Sequence, residues 1–276
     1  MTNDTAGGQR IAAAFESARR DGRAALVLYV VAGYPDLEMS YTAALACIDD
    51  GADVLEIGLP YSDPLADGAT MQRASSAALK AGATFARSIE LVRRIAESRP
   101  RVPLVPMCYA NQVIGGGDGR AAAKRLADAG AAGVIVADLT PDEGAPFEAV
   151  AREVGLAVVY LVAPTTPRER RATIAARSGG FLYCVSLVGV TGARTNLSAD
   201  VARLVREVRA VSPVPVGVGF GVSRPAHVRA LAKAGADGVV VASALVDALG
   251  SDGRNLTALR SLVVDLRAAT AVPSSR

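Results

Sequence analysis

Apolar residues in this chain come in short continuous runs, and more polar, helix-like stretches separate them. Eight runs read as strands: 25–33, 53–58, 102–109, 133–138, 156–163, 180–186, 214–220 and 238–243. Runs that are apolar on nearly every residue suit parallel strands covered on both faces. Their spacing averages roughly 30 residues, the size of a βα unit. Three runs share a lead-in: "DDGADVLEIG", "DAGAAGVIVAD" and "KAGADGVVVAS" each end a helix on Gly before the strand begins. Gly supplies the left-handed position at which a helix stops and turns. The recurrence predicts one βα module used repeatedly.

Eight such modules in about 250 residues predict an α/β chain folded as a (β/α)8 TIM barrel, with its chemistry at the C-terminal ends of the strands. The rival is an open doubly wound sheet, which usually has fewer strands and one Gly-rich fingerprint near its start. Here the Gly-rich loops come late. No linker or low-complexity segment divides the chain. The expected organisation is one domain over 1–276: an N-terminal helix near 10–22, the barrel near 25–268 and a frayed tail at 270–276.

Side chains alternate along a strand. In "DVLEIG", Val54 and Glu56 share one face and Leu55 and Ile57 the other. The apolar pair suits the layer between strand and helix, which points Glu56 into the barrel near its mouth. A carboxylate there costs several kcal/mol unless it is paired, solvated or protonated. None of the eight runs contains Lys or Arg. Glu56 is therefore expected to be a functional acid with a raised pKa, suited to proton transfer near neutral pH. The loop that follows, "LPYSDPLADG", carries Asp63 and Asp67. Asp63 reads equally well as a solvated turn. Asp67 opens the next helix a short reach from Glu56, and two carboxylates at one mouth can divide labour, one moving protons and one holding a donor.

Composition narrows the alternatives. Thirty basic and 27 acidic side chains give +3, a balance without the clustered basic face of nucleic-acid binders. The nearest cluster, "PRERR" (167–171), reads as a solvated helix start. No apolar run approaches the roughly 18–20 residues of a membrane span, and "MTNDTAGGQR" lacks the apolar core of a signal peptide. A cytoplasmic chain is expected. The three cysteines, Cys47, Cys108 and Cys184, lie far apart in apolar runs, which predicts buried, reduced thiols rather than a disulfide framework or zinc site. The single histidine, His227, reads as a surface residue on a helix beginning at Ser223. That excludes a Ser–His–Asp triad and argues against a His-clustered metal site.

Three late loops are rich in Gly or open a helix: "LVGVTGART" (187–195), "GVGFGVS" (217–223) and "VASALV" (241–246), the last placing Ser243 at a helix start. Exposed backbone N–H groups at such loops bind anions, and the loops after strands 7 and 8 are the usual phosphate position in a barrel. Tight-turn closure is the alternative reason for these glycines. The inward positions between the acids and these loops are Tyr29, Met107, Ile135, Ala137, Leu161, Tyr183 and Phe220. Ordinary barrel packing explains most of them. Yet three of them are aromatic, in a chain with only seven Tyr and five Phe. The pocket reads as phosphate at one side, a hydrophobic slot beside it and two acids above, which fits a flat apolar ligand tied to a phosphate.

These motifs carry a family resemblance. "LEIGLPYSDPLADG", "GVTGAR", "GFGVS" and the placement of "YCVS" closely resemble the signatures of the tryptophan synthase alpha subunit, from about Ala25 to the last helix. The resemblance implies a cofactor-free retro-aldol cleavage of indole-3-glycerol phosphate into indole and glyceraldehyde 3-phosphate. It implies Glu56 as the acid–base residue that protonates the indole ring carbon, Asp67 as the holder of the indole N–H, and Tyr183 as a positioning aid. Thr191 would meet Asp67 as the site closes, and Gly192, Gly221, Ala242 and Ser243 would surround the phosphate. It further implies docking on a beta subunit that carries pyridoxal phosphate, in an alpha2-beta2 assembly with the 60–68 loop at the interface. Three positions depart from the pattern: Ala69 and Gln112 stand where relatives often have Pro, and Ala242 where they have Gly. Two alternatives stay open on these residues: a stand-alone lyase releasing free indole, and a non-catalytic partner that only activates a beta subunit.

Overall fold

The computed structural model describes residues 5–185, 199–219 and 221–272. Within them the strands are β1 (Ala25–Val31), β2 (Val54–Gly58), β3 (Leu104–Cys108), β4 (Gly133–Val136), β5 (Ala157–Val159), β6 (Leu161–Val162), β7 (Leu182–Val185), β8 (Val216–Gly219) and β9 (Gly238–Val241). The helices are α1 (Ala6–Arg20), α2 (Leu37–Asp49), α3 (Ala69–Lys80), α4 (Phe85–Ser98), α5 (Ala110–Ile114), α6 (Arg120–Asp128), α7 (Pro141–Glu153), α8 (Arg168–Arg177), α9 (Ala199–Val211), α10 (Pro225–Lys233), α11 (Ser243–Ala248) and α12 (Leu256–Ala268).

The strand pairs are parallel, in the order β5-β4-β3-β2-β1-β9-β8-β7-β6. Its two end members, β5 and β6, are consecutive in the chain, so the sheet curls into the expected TIM barrel. The expected single strand over 156–163 is corrected to two, divided at Tyr160. The Tyr160 amide donates to Ser178 Oγ at 3.0 Å instead of to a neighbouring strand. Its hydroxyl donates to Glu148 on α7, and Arg177 on α8 meets the same carboxylate at 2.8 Å.

Alternation sorts the apolar runs into two layers. Leu26, Leu28, Leu55, Ile57, Val134 and Val239 pack outward against the helices. Val27, Val54, Val105, Ile135, Val159 and Val240 fill the barrel interior. The N-terminal helix begins earlier than expected because Thr5 caps it, its Oγ1 accepting from the Gly8 amide at 3.0 Å. This helix sends Ile11 and Phe15 into the interior layer, and Phe15 stacks on Phe181 with ring centroids 5.4 Å apart. The base of the barrel is thereby plugged.

The repeated lead-ins behave as expected: Gly51, Gly130 and Gly235 take φ of 132°, 90° and 96° after their helices. Two of the three add an aspartate that ties adjacent strands. Asp53 accepts from the Leu26 amide at 2.8 Å and Asp237 from the Val216 amide at 2.9 Å. The "PRERR" stretch is not wholly solvated. Arg171 is buried because its guanidinium binds Glu207 on α9 at 2.8 Å and the Thr166 carbonyl at 3.1 Å. The three cysteines are free and buried. No helix among the described residues is long and apolar enough to cross a membrane.

Candidate active site

Glu56 lies on the inward face of β2, with Tyr29 of β1 beside it on one side and Val105 of β3 on the other. Its side chain is buried, at 1% exposure. Neither carboxylate oxygen has a hydrogen-bond partner among the described residues. Burial, helped by the charge of Asp67, pushes its pKa up to about 8. Glu56 therefore holds its proton at neutral pH and can deliver it to an acceptor placed above it.

Asp67 is half-buried, one residue before the Gly68 N-cap of α3. Burial raises its pKa, and a hydrogen bond with the Tyr109 hydroxyl opposes that rise. Its negative charge contributes to the upward shift of Glu56. The two carboxyls sit in unlike surroundings, Glu56 fully buried and Asp67 partly exposed, as expected of two acids with unlike tasks. Asp63 is exposed and accepts from Ser62 Oγ at 2.6 Å, the solvated turn residue that the sequence allowed.

Two buried tyrosines complete this end of the barrel. A Cβ on Gly58 would fall 1.6 Å from the Tyr29 hydroxyl, and one on Gly219 would fall 2.7 Å from the Tyr183 hydroxyl. Each phenol thus occupies the side-chain space that a glycine on the next strand leaves vacant. Burial raises both phenol pKa values; the next cause is Asp67 for Tyr29 and Glu56 for Tyr183. Tyr29 shares an apolar cluster with Met107 and Ala242, and Leu161 lies beside Tyr183 in the strand register. Met107, Leu161 and Ala137 are half-buried, whereas Ile135 is fully buried below them. These residues form an apolar lip next to the acids.

On the far side, β8 and β9 are neighbours, so the loops that leave them run side by side. Gly221 is exposed, with φ of 74°. Ser243 is the first residue of α11, preceded by Ala242. The first N–H groups of a helix have no intrahelical acceptor and are free to bind an anion. The helix expected from Ser223 begins instead at Pro225. His227 is half-buried rather than a plain surface residue, because its Nδ1 accepts from the Ser223 amide at 3.3 Å. Thr191, Gly192 and Phe220 lie outside the described residues.

Sequence reasoning missed Tyr109, which follows β3. Its hydroxyl accepts at 3.0 Å from the amide of Ala66, the residue before Asp67, and counters part of the burial-driven rise in the Asp67 pKa. An aromatic residue ending the strand next to the one that bears Glu56 was the signal available.

A parallel barrel with a buried glutamic acid that has no hydrogen-bond partner among the described residues, and a second carboxylate at its mouth, defines a TIM-barrel enzyme site suited to carboxylate acid–base chemistry. The profile of the family described as "Tryptophan synthase alpha chain" matches residues 15–271. The tryptophan synthase alpha chain of Roseiflexus castenholzii is 45% identical over 240 residues, covering 87% of this chain and 91% of the relative. That of Mycobacterium ulcerans is 43% identical over 268 residues, 97% of each. A solved chain of Mycobacterium tuberculosis tryptophan synthase superposes with a TM-score of 0.87 at 41% identity, covering 95% of this chain and 98% of that one. This chain belongs to the tryptophan synthase alpha chain family. It is a lyase that cleaves indole-3-glycerol phosphate to indole and glyceraldehyde 3-phosphate.

Proposed function

We propose that Glu56 is the acid–base residue of this cleavage. The single observation that carries the assignment is its burial with no hydrogen-bond partner among the described residues, on the inward face of β2. In this reading Glu56 protonates the indole ring carbon that bears the glycerol side chain. The carbon–carbon bond then breaks, and the hydroxyl proton of the departing chain passes to the Glu56 carboxylate as the aldehyde forms. Asp67 accepts the indole N–H and stabilises the positive charge that develops on the ring. Tyr183 positions the side chain beside Glu56. A dry site makes this carbon protonation accessible to a carboxyl group.

Tyr29, Met107, Ile135, Ala137, Leu161, Phe220 and Thr191 line the indole slot in this reading. Gly192, Gly221, Ala242 and Ser243 cradle the phosphate. The half-buried lip of Met107, Leu161 and Ala137, and the adjacency of the loops after β8 and β9, support that division. The cleavage requires no cofactor of its own; pyridoxal phosphate belongs to a beta subunit that receives the indole in an alpha2-beta2 assembly. The chain works as one domain in the cytoplasm.

Indole release from indole-3-glycerol phosphate by the purified chain and by Glu56→Gln, each with and without a beta subunit, tests the assignment. Activity that vanishes in the variant and climbs with the partner is expected. Activity that ignores the partner would instead identify a stand-alone indole source. A wild type silent under both conditions would leave only the role of partner activator.

A further inference from the structure

The loop that carries Asp67 runs over residues 59–68, between β2 and α3. One short segment grips it from start to end. Gln112 Nε2 donates to the Pro60 carbonyl at 3.1 Å, and Asn111 Nδ2 donates to the Tyr61 hydroxyl at 3.1 Å. The Ala66 amide, next to Asp67, donates to the Tyr109 hydroxyl at 3.0 Å. The rings of Tyr61 and Tyr109 stack with centroids 5.2 Å apart.

Gln112 uses both ends of its amide. Its Oε1 accepts from the Tyr109 amide at 3.0 Å, which fixes the start of α5 and the residue whose hydroxyl holds the Ala66 amide, next to Asp67. Its Nε2 fixes the opposite end of the loop, a few residues past Glu56.

We propose that Gln112 is a positioning residue: it orders the loop in the free chain and so places Asp67 before any partner binds. The inference deepens the site assigned above, because it rests on Asp67 acting on the substrate.

Two substitutions separate the bonds. Gln112→Met keeps the side-chain length and loses both bonds. Gln112→Glu keeps the acceptor for the Tyr109 amide and loses the donor to Pro60. Amide hydrogen exchange over residues 59–68 of the free, full-length chain is the first readout. Both variants are expected to exchange about three- to tenfold faster there, the range for one lost hydrogen bond, with exchange in the barrel strands unchanged. Loop exchange equal to wild type in both variants overturns the proposal.

Steady-state indole-3-glycerol phosphate cleavage is the second readout. The free variants are expected to lose about three- to tenfold in kcat with little change in KM, and a beta subunit is expected to restore most of that loss. A merely structural role would lower stability and leave the activation ratio as in wild type, and that result overturns the proposal. Should the wild-type chain fail to cleave the substrate, or Asp67→Asn cleave it at full rate, the assignment of the site falls. The exchange experiment then decides by itself whether Gln112 orders the loop.

Discussion

Asp53 and Glu56 stand three residues apart, one just before β2 and one within it, yet they live in opposite conditions. At the barrel's base, Asp53 accepts from the Leu26 amide at 2.8 Å, from both terminal nitrogens of Arg23 at 2.6 and 2.9 Å, and from Arg267 at 2.9 Å. At the mouth, Glu56 has no hydrogen-bond partner among the described residues. At the base, α1 plugs the barrel, Phe15 stacks on Phe181, and Asp53 is held by Arg23 and Arg267. The mouth is left incomplete, with a protonated acid, two buried phenols and an apolar lip that substrate can cover. Carboxylates this close in sequence are told apart by satisfaction: the partners of Asp53 account for it structurally, whereas a buried acid with none among the described residues marks a candidate for chemistry.

The sharpest way to break this contrast is to remove the orphan acid. Glu56→Gln is expected to lower kcat/KM on the order of a thousandfold while the chain melts no lower than wild type. A loss below about tenfold in the indole-release assay would return Glu56 to the packing residues. The converse substitution, Asp53→Ala, leaves two guanidinium groups without their shared anion. It is expected to cost about 3 kcal/mol in denaturant unfolding and to leave the kcat of the folded chain within about twofold of wild type. Unchanged stability would show that the base does not depend on its charge cluster.

A smaller effect is expected where α1 enters the barrel. A Cβ at Gly238 would lie 2.5 Å from the Phe15 ring, so Gly238→Ala should cost about 1–3 kcal/mol by overpacking, with activity retained. The smallest effect, per pH unit, concerns the titration of Glu56. Its folded pKa of about 8 lies above its ordinary 4.5. Between these values the folded chain holds a proton that the unfolded chain has released, so this group makes stability fall as pH rises. Its contribution is fully present below about 4.5 and is lost as pH passes through about 8. Unfolding free energies measured from pH 5 to 8 should fall in wild type, relative to Glu56→Gln, by up to about 1.4 kcal/mol per pH unit. Parallel curves for the two proteins would mean that the acid is solvated after all.

Much of this was legible without coordinates. The period-two alternation of "DVLEIG" placed Glu56 inside the barrel, and the absence of Lys or Arg from the strand runs foretold its isolation. The Gly-terminated lead-ins marked where helices stop, and each such Gly does take a positive φ. Other features were not legible. Nothing local in "LAVVYLVA" announces a break, since Tyr160 leaves the ladder for Ser178, Glu148 lies on the preceding helix, and either contact needs the helices docked first. His227 looked solvent-facing because its partner is a backbone amide, which carries no sequence signature. Gln112 stood out only as a departure from a family pattern, and its two bonds explain why a polar residue is useful there.

The sequence by itself determined the layers and the lone acid, because strand alternation and helix stops are set by neighbours a few residues away. Only the tertiary structure decided which carboxylates are satisfied. Asp53 finds Arg267 across 214 positions of chain, and Gln112 finds Pro60 across 52. Such partners exist only after the sheet has closed and chosen which strand ends lie side by side.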